Sequence, residues 1–387
     1  MSTFLDHAAT TPVRPLALEA YLEALAHLGN PSSVHAHGRE TRELLEQARE
    51  ILAKAADCNS AEVVFTSGGT EANNQAIKGF FWQRQEDRPR KYIISALTEH
   101  HALIDPLEWL EKHEGAQLLW VPVDKSGQPD LETYRRYLAQ YGDEIALVSL
   151  MWVNNETGAI WDIPAFTALA NEYGIPVHSD AVAAFGHTEI SFKKSGLAAM
   201  SISGHKLGAP IGVGALIVSR SQKPISLIHG GGQERGLRSG TMNYPHALSL
   251  AKASELAVAD MLEREARLEL LRDQLEASVL AEIPQAIKTV TGPRIGHTAS
   301  FIFPGVQSDS LLFLLDQKGV SVSAGSACQA GVLSASHVLL AMGYSEAEAS
   351  GVIRITLGHT TTAADVEVFT SSIAEVYSTA LRAGLNR

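Results

Sequence analysis

The chain has 387 residues, 45% of them hydrophobic and 19% charged, with a formal net charge of −12 at pH 7. That length exceeds what one hydrophobic core usually serves, so a large and a smaller domain are expected, and the apolar content excludes global disorder. The acidic balance argues against capture by nucleic acid or an anionic membrane, which need clustered Lys and Arg, and points to small metabolites or protein partners.

The opening residues MSTFLDHAATTP lack the charged start and apolar core of a signal peptide, and two cysteines, Cys58 and Cys328, cannot build a disulfide framework. A reducing cytoplasm is the expected compartment. From Ala61 onward, strand-like runs alternate with helical periodicity: AEVVFTS then a helix from Gly69 through Phe80, KYIISAL then HALIDPLEWLEKH, AQLLWVPVD then DLETYRRYLAQY. IALVSLMWV then PAFTALANEYG follow, and after them PVHSDAV and VGALIVSR. Such alternation predicts an α/β domain with a mainly parallel sheet flanked by helices. The apolar runs are too short to span a bilayer. Around Asn243 to Ser278 the pattern becomes one long helical region, ALSLAKASELAVADMLEREARLELLRDQLEAS, a connector between domains. TASFIFP, a helix at SLLFLLDQKG, the small-residue stretch SAGSACQAGV, strand-like GVIRITLG and a helix from about Ala363 to Ala383 complete a smaller α/β unit. The expected division is a large domain over 13–255 and a small one from 1–12 and 256–387.

Three features in the larger unit suggest chemistry. In TSGGTEANN a strand ends at Gly68-Gly69 and a helix begins, so free backbone N–H groups, the helix dipole and the Ser67 and Thr70 hydroxyls offer an anion site. Neither a dinucleotide nor a Walker glycine pattern is present there. In PVHSDAVAA, Asp180 closes a buried strand, where a carboxylate needs a cation or a ligand. In SISGHKLGAP, Lys206 sits between glycines, where a lysine near apolar surroundings can form a Schiff base. Each alone has an ordinary explanation: a capped turn, an Asp opening a helix, a surface lysine. Together they match one cofactor, because pyridoxal 5'-phosphate (PLP) needs an anion site, a carboxylate for its ring nitrogen and a lysine for its aldehyde.

At this point the sequence resembles the cysteine desulfurase family, within the class V aminotransferase group of fold-type I PLP enzymes. LDHAATTPV, GNPSSVHAHG, TSGGTEANN, TEHHA, VNNETG, SGHK, GGGQERGLRSGT, SAGSACQAG and IRITLG carry the resemblance in family order over nearly the whole chain. It implies that Lys206 binds the cofactor aldehyde and Asp180 keeps the ring nitrogen protonated. His100 would stack on the ring and shuttle protons. Gly69, Thr70, Ser203 and His205 would hold the phosphate, Asn155 and Arg354 the substrate carboxylate, and Thr241 the phosphate of a partner subunit, hence a homodimer.

The resemblance further implies that Cys328 takes the sulfur of L-cysteine as a persulfide, releases L-alanine, and delivers sulfur to an acceptor protein, for example in iron–sulfur cluster assembly or thiolation. Small neighbours leave such a thiol exposed, although a free cysteine is more often a small buried hydrophobe. Cys58 has only that structural role to recommend it. Two departures stand out: Ala183 occupies the place of the family's usual glutamine, and His359 that of a frequent arginine. His101 has no matching role. The HAH of His35 to His37 lacks a third ligand, so no metal site is expected. Alternatives are a selenocysteine lyase, another class V lyase or transaminase, and a non-catalytic assembly partner for sulfur carriers.

Overall fold

The computed structural model describes residues 2–325 and 335–384. Among them, the main sheet has seven strands in the order Val63–Thr66, Gly214–Val218, Ala199–Ser203, Val177–Asp180, Ile145–Met151, Tyr92–Ser95 and Gln117–Trp120. Neighbours run parallel except at Gly214–Val218, which is antiparallel to the strands on both its sides. Every residue of Ile145–Met151 is buried, as a parallel strand covered on both faces requires. One face packs Phe80, Leu103 and Leu107, from helices Gly69–Gln83 and His101–Glu114, against Ile93 and Leu216. The other packs Leu45, Leu52 and Leu250, from helices Ala36–Ala55 and Tyr244–Ala259, against Val63, Ile94, Val148 and Ile202.

A smaller antiparallel sheet joins Val352–Thr356, Thr298–Ile302 and Ile287–Lys288. Helices Met261–Glu282 and Ala363–Gly384 cover it through a separate core containing Leu268, Leu275, Phe301, Ile353, Phe369 and Ile373, which Leu5 from the start of the chain also enters. No helix of the described residues is long and apolar enough to cross a membrane.

The long helical region expected from Asn243 to Ser278 is two helices, Tyr244–Ala259 and Met261–Glu282, divided at Asp260 with φ −93° and ψ 0°. Nothing in the local sequence breaks a helix there. The break follows from tertiary demand: Leu250 and Ala253 bury in the first core and Leu268 and Leu275 in the second, while Arg14 pairs with the Asp260 carboxylate at 2.8 Å. Two helices, Pro15–Leu25 and Ala36–Ala55, precede the first strand of the main sheet and were not expected from the alternation. Pro15 suits a first helical position, and His35 caps the second helix by accepting the Gly38 N–H at 3.3 Å.

Candidate active site

A cavity of about 480 Å³ opens at the carboxyl ends of the main strands, where ligands enter such sheets. Gly69, Thr70, His100, Asn155, Asp180, Ser203, His205, Lys206 and Arg354 all line it. Residues from six separate sequence segments are thus brought together by strand ends and the loops that follow them.

The anion end is built first. Gly68 caps the helix Gly69–Gln83 without a side chain, so the first-turn N–H groups keep no side-chain acceptor from that position. Gly69 is required by close packing: a Cβ there would stand 2.8 Å from Val182 Cγ2 and 3.3 Å from Ser203 Cβ. Ser203 ends its strand beside this turn, buried. His205 has its pKa lowered to about 4 by burial and by the charge of Lys206, so its ring is neutral at pH 7.

Asp180 stands at the end of Val177–Asp180, buried, with Oδ2 accepting from Asn73 Nδ2 at 2.7 Å and Oδ1 from the Val182 N–H at 2.8 Å. Burial raises its pKa, opposed by those two bonds and by the charge of Lys206. A carboxylate in that position stores an unfavourable desolvation that a cationic ring nitrogen relieves. Lys206 follows the strand Ala199–Ser203 on a short 3-10 turn, and its Nζ donates to the carbonyls of Ala8 and Ala9 in the LDHAATTP segment. His100 caps the helix His101–Glu114: its Nδ1 accepts the Ala102 N–H at 3.0 Å, which leaves the ring hydrogen on Nε2. Burial, then the charge of Lys206, lowers its pKa to about 4.

Arg354 lies within the strand Val352–Thr356, almost wholly buried. Its Nη2 donates to Asp6 Oδ1 and its Nη1 to the Asn155 carbonyl, each at 2.8 Å, so the guanidinium is held in place by structural pairing as well as facing the cavity. Buried atoms of cavity-lining residues, among them Asn73 Oδ1, Asn155 Oδ1 and Arg354 Nε, have no hydrogen-bond partner among the described residues. Buried polar atoms are rarely left so, and a polar ligand in the cavity would satisfy them. The anion end, the desolvated carboxylate, the lysine and these orphaned atoms fit PLP with an amino acid beside it.

Two expected site residues are not in this group. Thr241 is exposed and does not line the cavity of its own chain. Cys328 lies outside the described residues; Gly325, three positions before it, lines the cavity wall next to Arg354, whose backbone exchanges hydrogen bonds with Ser323. Burial and nearby carboxylates push the Cys58 thiol up to about 12, which leaves it protonated and unreactive at neutral pH. Ala183 and His359 both face the cavity, and His359 Nδ1 is 3.4 Å from Thr11 Oγ1. His101 pairs with Asp105 at 3.0 Å and its ring lies 4.7 Å from that of His337, tilted by 52°.

Sequence reasoning missed Asp6, which orients Arg354; Asn73, which orients Asp180; and Glu99, fully buried with Oε1 accepting the Met151 N–H at 2.7 Å. Each lies inside a quoted motif, yet its partner is distant in sequence, so only the fold reveals the pairing.

The neutral histidines have a consequence for stability. Burial lowers His7, His100, His187, His205 and His359 to about 4 and His178 to about 3, the last held between Ser149 and Ser201 hydroxyls at 2.9 Å each. In the unfolded chain they titrate near their ordinary pKa of about 6.5, so below that pH the unfolded state binds more protons. Stability should be fully present above pH 6.5 and fall steadily as the pH drops towards 4. Urea midpoints at pH 7.5, 6 and 5 measure this, and an unchanged midpoint across that range would refute it.

The sheet, with its one antiparallel strand, and the cavity at its carboxyl edge define a PLP-dependent enzyme class. A family model described as aminotransferase class-V matches residues 3–369. An IscS-like cysteine desulfurase of Mycobacterium tuberculosis is 45% identical over 385 residues, 99% of this chain and 98% of that protein. A cysteine desulfurase IscS of Dictyoglomus turgidum is 42% identical over 369 residues, 94% of this chain and 91% of its own length. A solved NifS-like protein superposes with a TM-score of 0.89 at 33% identity, covering 98% of this chain and 100% of its own. The chain therefore belongs to the class-V aminotransferase family, among its cysteine desulfurases.

Proposed function

We propose that the protein is a homodimeric, PLP-dependent cysteine desulfurase that converts L-cysteine to L-alanine, with Cys328 taking the sulfur as a persulfide for an acceptor protein. The observation that carries this reading is the cavity itself, with Asp180, Lys206, Gly325 and an uncapped helix start on its walls.

Gly69, Thr70, Ser203 and His205 would hold the cofactor phosphate, Lys206 would bind its aldehyde and Asp180 would hold a proton on its ring nitrogen. When bound, PLP supplies an electron sink that acidifies the substrate α-proton. Arg354 and Asn155 orient the substrate carboxylate, and the guanidinium, already fixed by Asp6, loses little entropy in doing so. Lys206 and His100 would move protons at the substrate, His100 being neutral with its hydrogen on Nε2. Ala183 offers no hydrogen bond to the ring oxygen. The Cys328 thiolate then attacks the substrate sulfur, the C–S bond breaks, and its electron pair stays on the departing three-carbon unit, which is protonated to alanine.

Residues 13–255 form the PLP-binding domain in this reading, and 1–12 with 256–387 the domain bearing the thiol, in line with the shared core of Leu5 and Leu268. The homodimer is supported by Leu18, Leu22 and Leu25, at i, i+4 and i+7 on one helix and 44%, 57% and 54% exposed, and by Ile211, 76% exposed at the cavity. An exposed Thr241 is free to reach the phosphate of the opposite subunit. The compartment is cytoplasmic in this reading.

Incubating the purified PLP-bound protein with L-cysteine and a thiol reductant should yield alanine and sulfide in equal amounts. Pyruvate and ammonia in place of alanine would favour a lyase, selenium release from selenocysteine with no sulfide from L-cysteine a selenocysteine lyase, and no product at all the non-catalytic alternative.

A further inference from the structure

Three groups outside the assigned machinery meet where the helix Met261–Glu282 borders the cavity. His187 comes from the loop after Val177–Asp180, Glu265 from that helix, and His297 from the residue before strand Thr298–Ile302. Glu265 reaches one imidazole with each oxygen: Oε1 to His187 Nδ1 at 2.9 Å and Oε2 to His297 Nδ1 at 3.0 Å. The two rings lie 4.4 Å apart between centroids, and one donor atom from each of the three residues falls within 4.8 Å of the others. All three side chains are largely withdrawn from solvent, at 17%, 14% and 8% exposure, so this is not a chance surface grouping.

The two contacts are hydrogen bonds of ordinary length, and the same three donor atoms are also a metal-ligating set close enough to share one ion. Zinc binds His nitrogen and carboxylate oxygen at about 2.0–2.2 Å in tetrahedral array, which separates neighbouring ligand atoms by about 3.4 Å. The two nitrogen–oxygen separations, each to a different Glu265 oxygen, are about half an ångström shorter than that, so the side chains spread to admit the ion. Two neutral nitrogens and one carboxylate are a borderline-soft set that favours zinc-like ions over magnesium or calcium. His187 and His297 line the cavity, so a fourth ligand position faces it. Arg264 Nε, 3.5 Å from Glu265 Oε1, opposes a cation, but its guanidinium is also paired with Asp260.

We propose that His187, Glu265 and His297 form a binding site for a divalent transition-metal ion of zinc type, with its fourth position open to the cavity. On binding, each imidazole proton moves from Nδ1 to Nε2 and the ion takes the place of the two hydrogen bonds to Glu265. No redox change is involved. The ligands are 78 and 32 residues apart, so no spacing motif announces them. The site stands whether or not the desulfurase reading does.

The test is zinc binding by PLP-bound full-length protein carrying Cys328→Ser, which removes the thiol as a competing ligand. Equilibrium dialysis should give one zinc per chain, and cobalt in its place should give the visible bands of a four-coordinate site. His297→Ala and Glu265→Gln should each weaken zinc at least about tenfold, as loss of ligand-shell groups does elsewhere, while His35→Ala should not. Retained yellow colour certifies the fold of each variant, and His187→Gln replaces any that fails. Zinc affinity unchanged in His297→Ala, zinc lost with His35→Ala, or no zinc bound by the parent would overturn the proposal.

Discussion

Cys328→Ser is expected to abolish sulfur release from L-cysteine, by on the order of a thousandfold or more, because a hydroxyl is a far weaker nucleophile towards sulfur than a thiolate. PLP content and the spectral response to L-cysteine should persist, since Lys206, Asp180 and Arg354 are untouched. Selenocysteine should remain the more forgiving substrate, as selenium can leave without a persulfide on the enzyme. Mass analysis of the wild-type chain after turnover should find one extra sulfur on the Cys328 peptide. Cys58 should carry none, because its thiol, pushed up to about 12, supplies almost no thiolate. Wild-type sulfide output from Cys328→Ser, or the extra sulfur on Cys58, would remove the desulfurase mechanism and leave a lyase or transaminase.

Lys206→Ala should lose the borohydride-reducible chromophore and reduce turnover by about a thousandfold, the scale of a lost proton-transfer group compounded by a lost covalent anchor. The dimer proposal can be read in the same experiment. Mixing Lys206→Ala chains with Thr241→Ala chains should form heterodimers in which one site carries both defects and the other neither, so activity should partly return. Full activity in a protein that light scattering finds monomeric would exclude that arrangement.

Much of this was legible beforehand, for reasons that differ by residue. Asp180, Lys206 and Thr70 could be read because each sits where a strand ends and its own short segment supplies the local signal: an acid after an apolar run, a lysine between glycines, a glycine pair before a helix. The division at Asp260 could not, since ALSLAKASELAVADMLEREARLELL is good helix throughout and the break is set by two cores and by Arg14. Arg354 was expected to bind a carboxylate and is also tied to Asp6, 348 residues away, a pairing no window along the chain contains.

By itself, then, the sequence determined the alternation that makes a covered parallel sheet, and the residue types a PLP site requires, because strand burial, turn geometry and helix starts are decided by neighbours a few positions apart. The tertiary structure decided which of those residues share one cavity and in what charge state. Desolvation raises Asp180, lowers His100 and silences the Cys58 thiol, and it brings His187, Glu265 and His297 together. Burial and long-range approach are properties of the folded chain, since the same side chains in an extended chain would all be hydrated and apart.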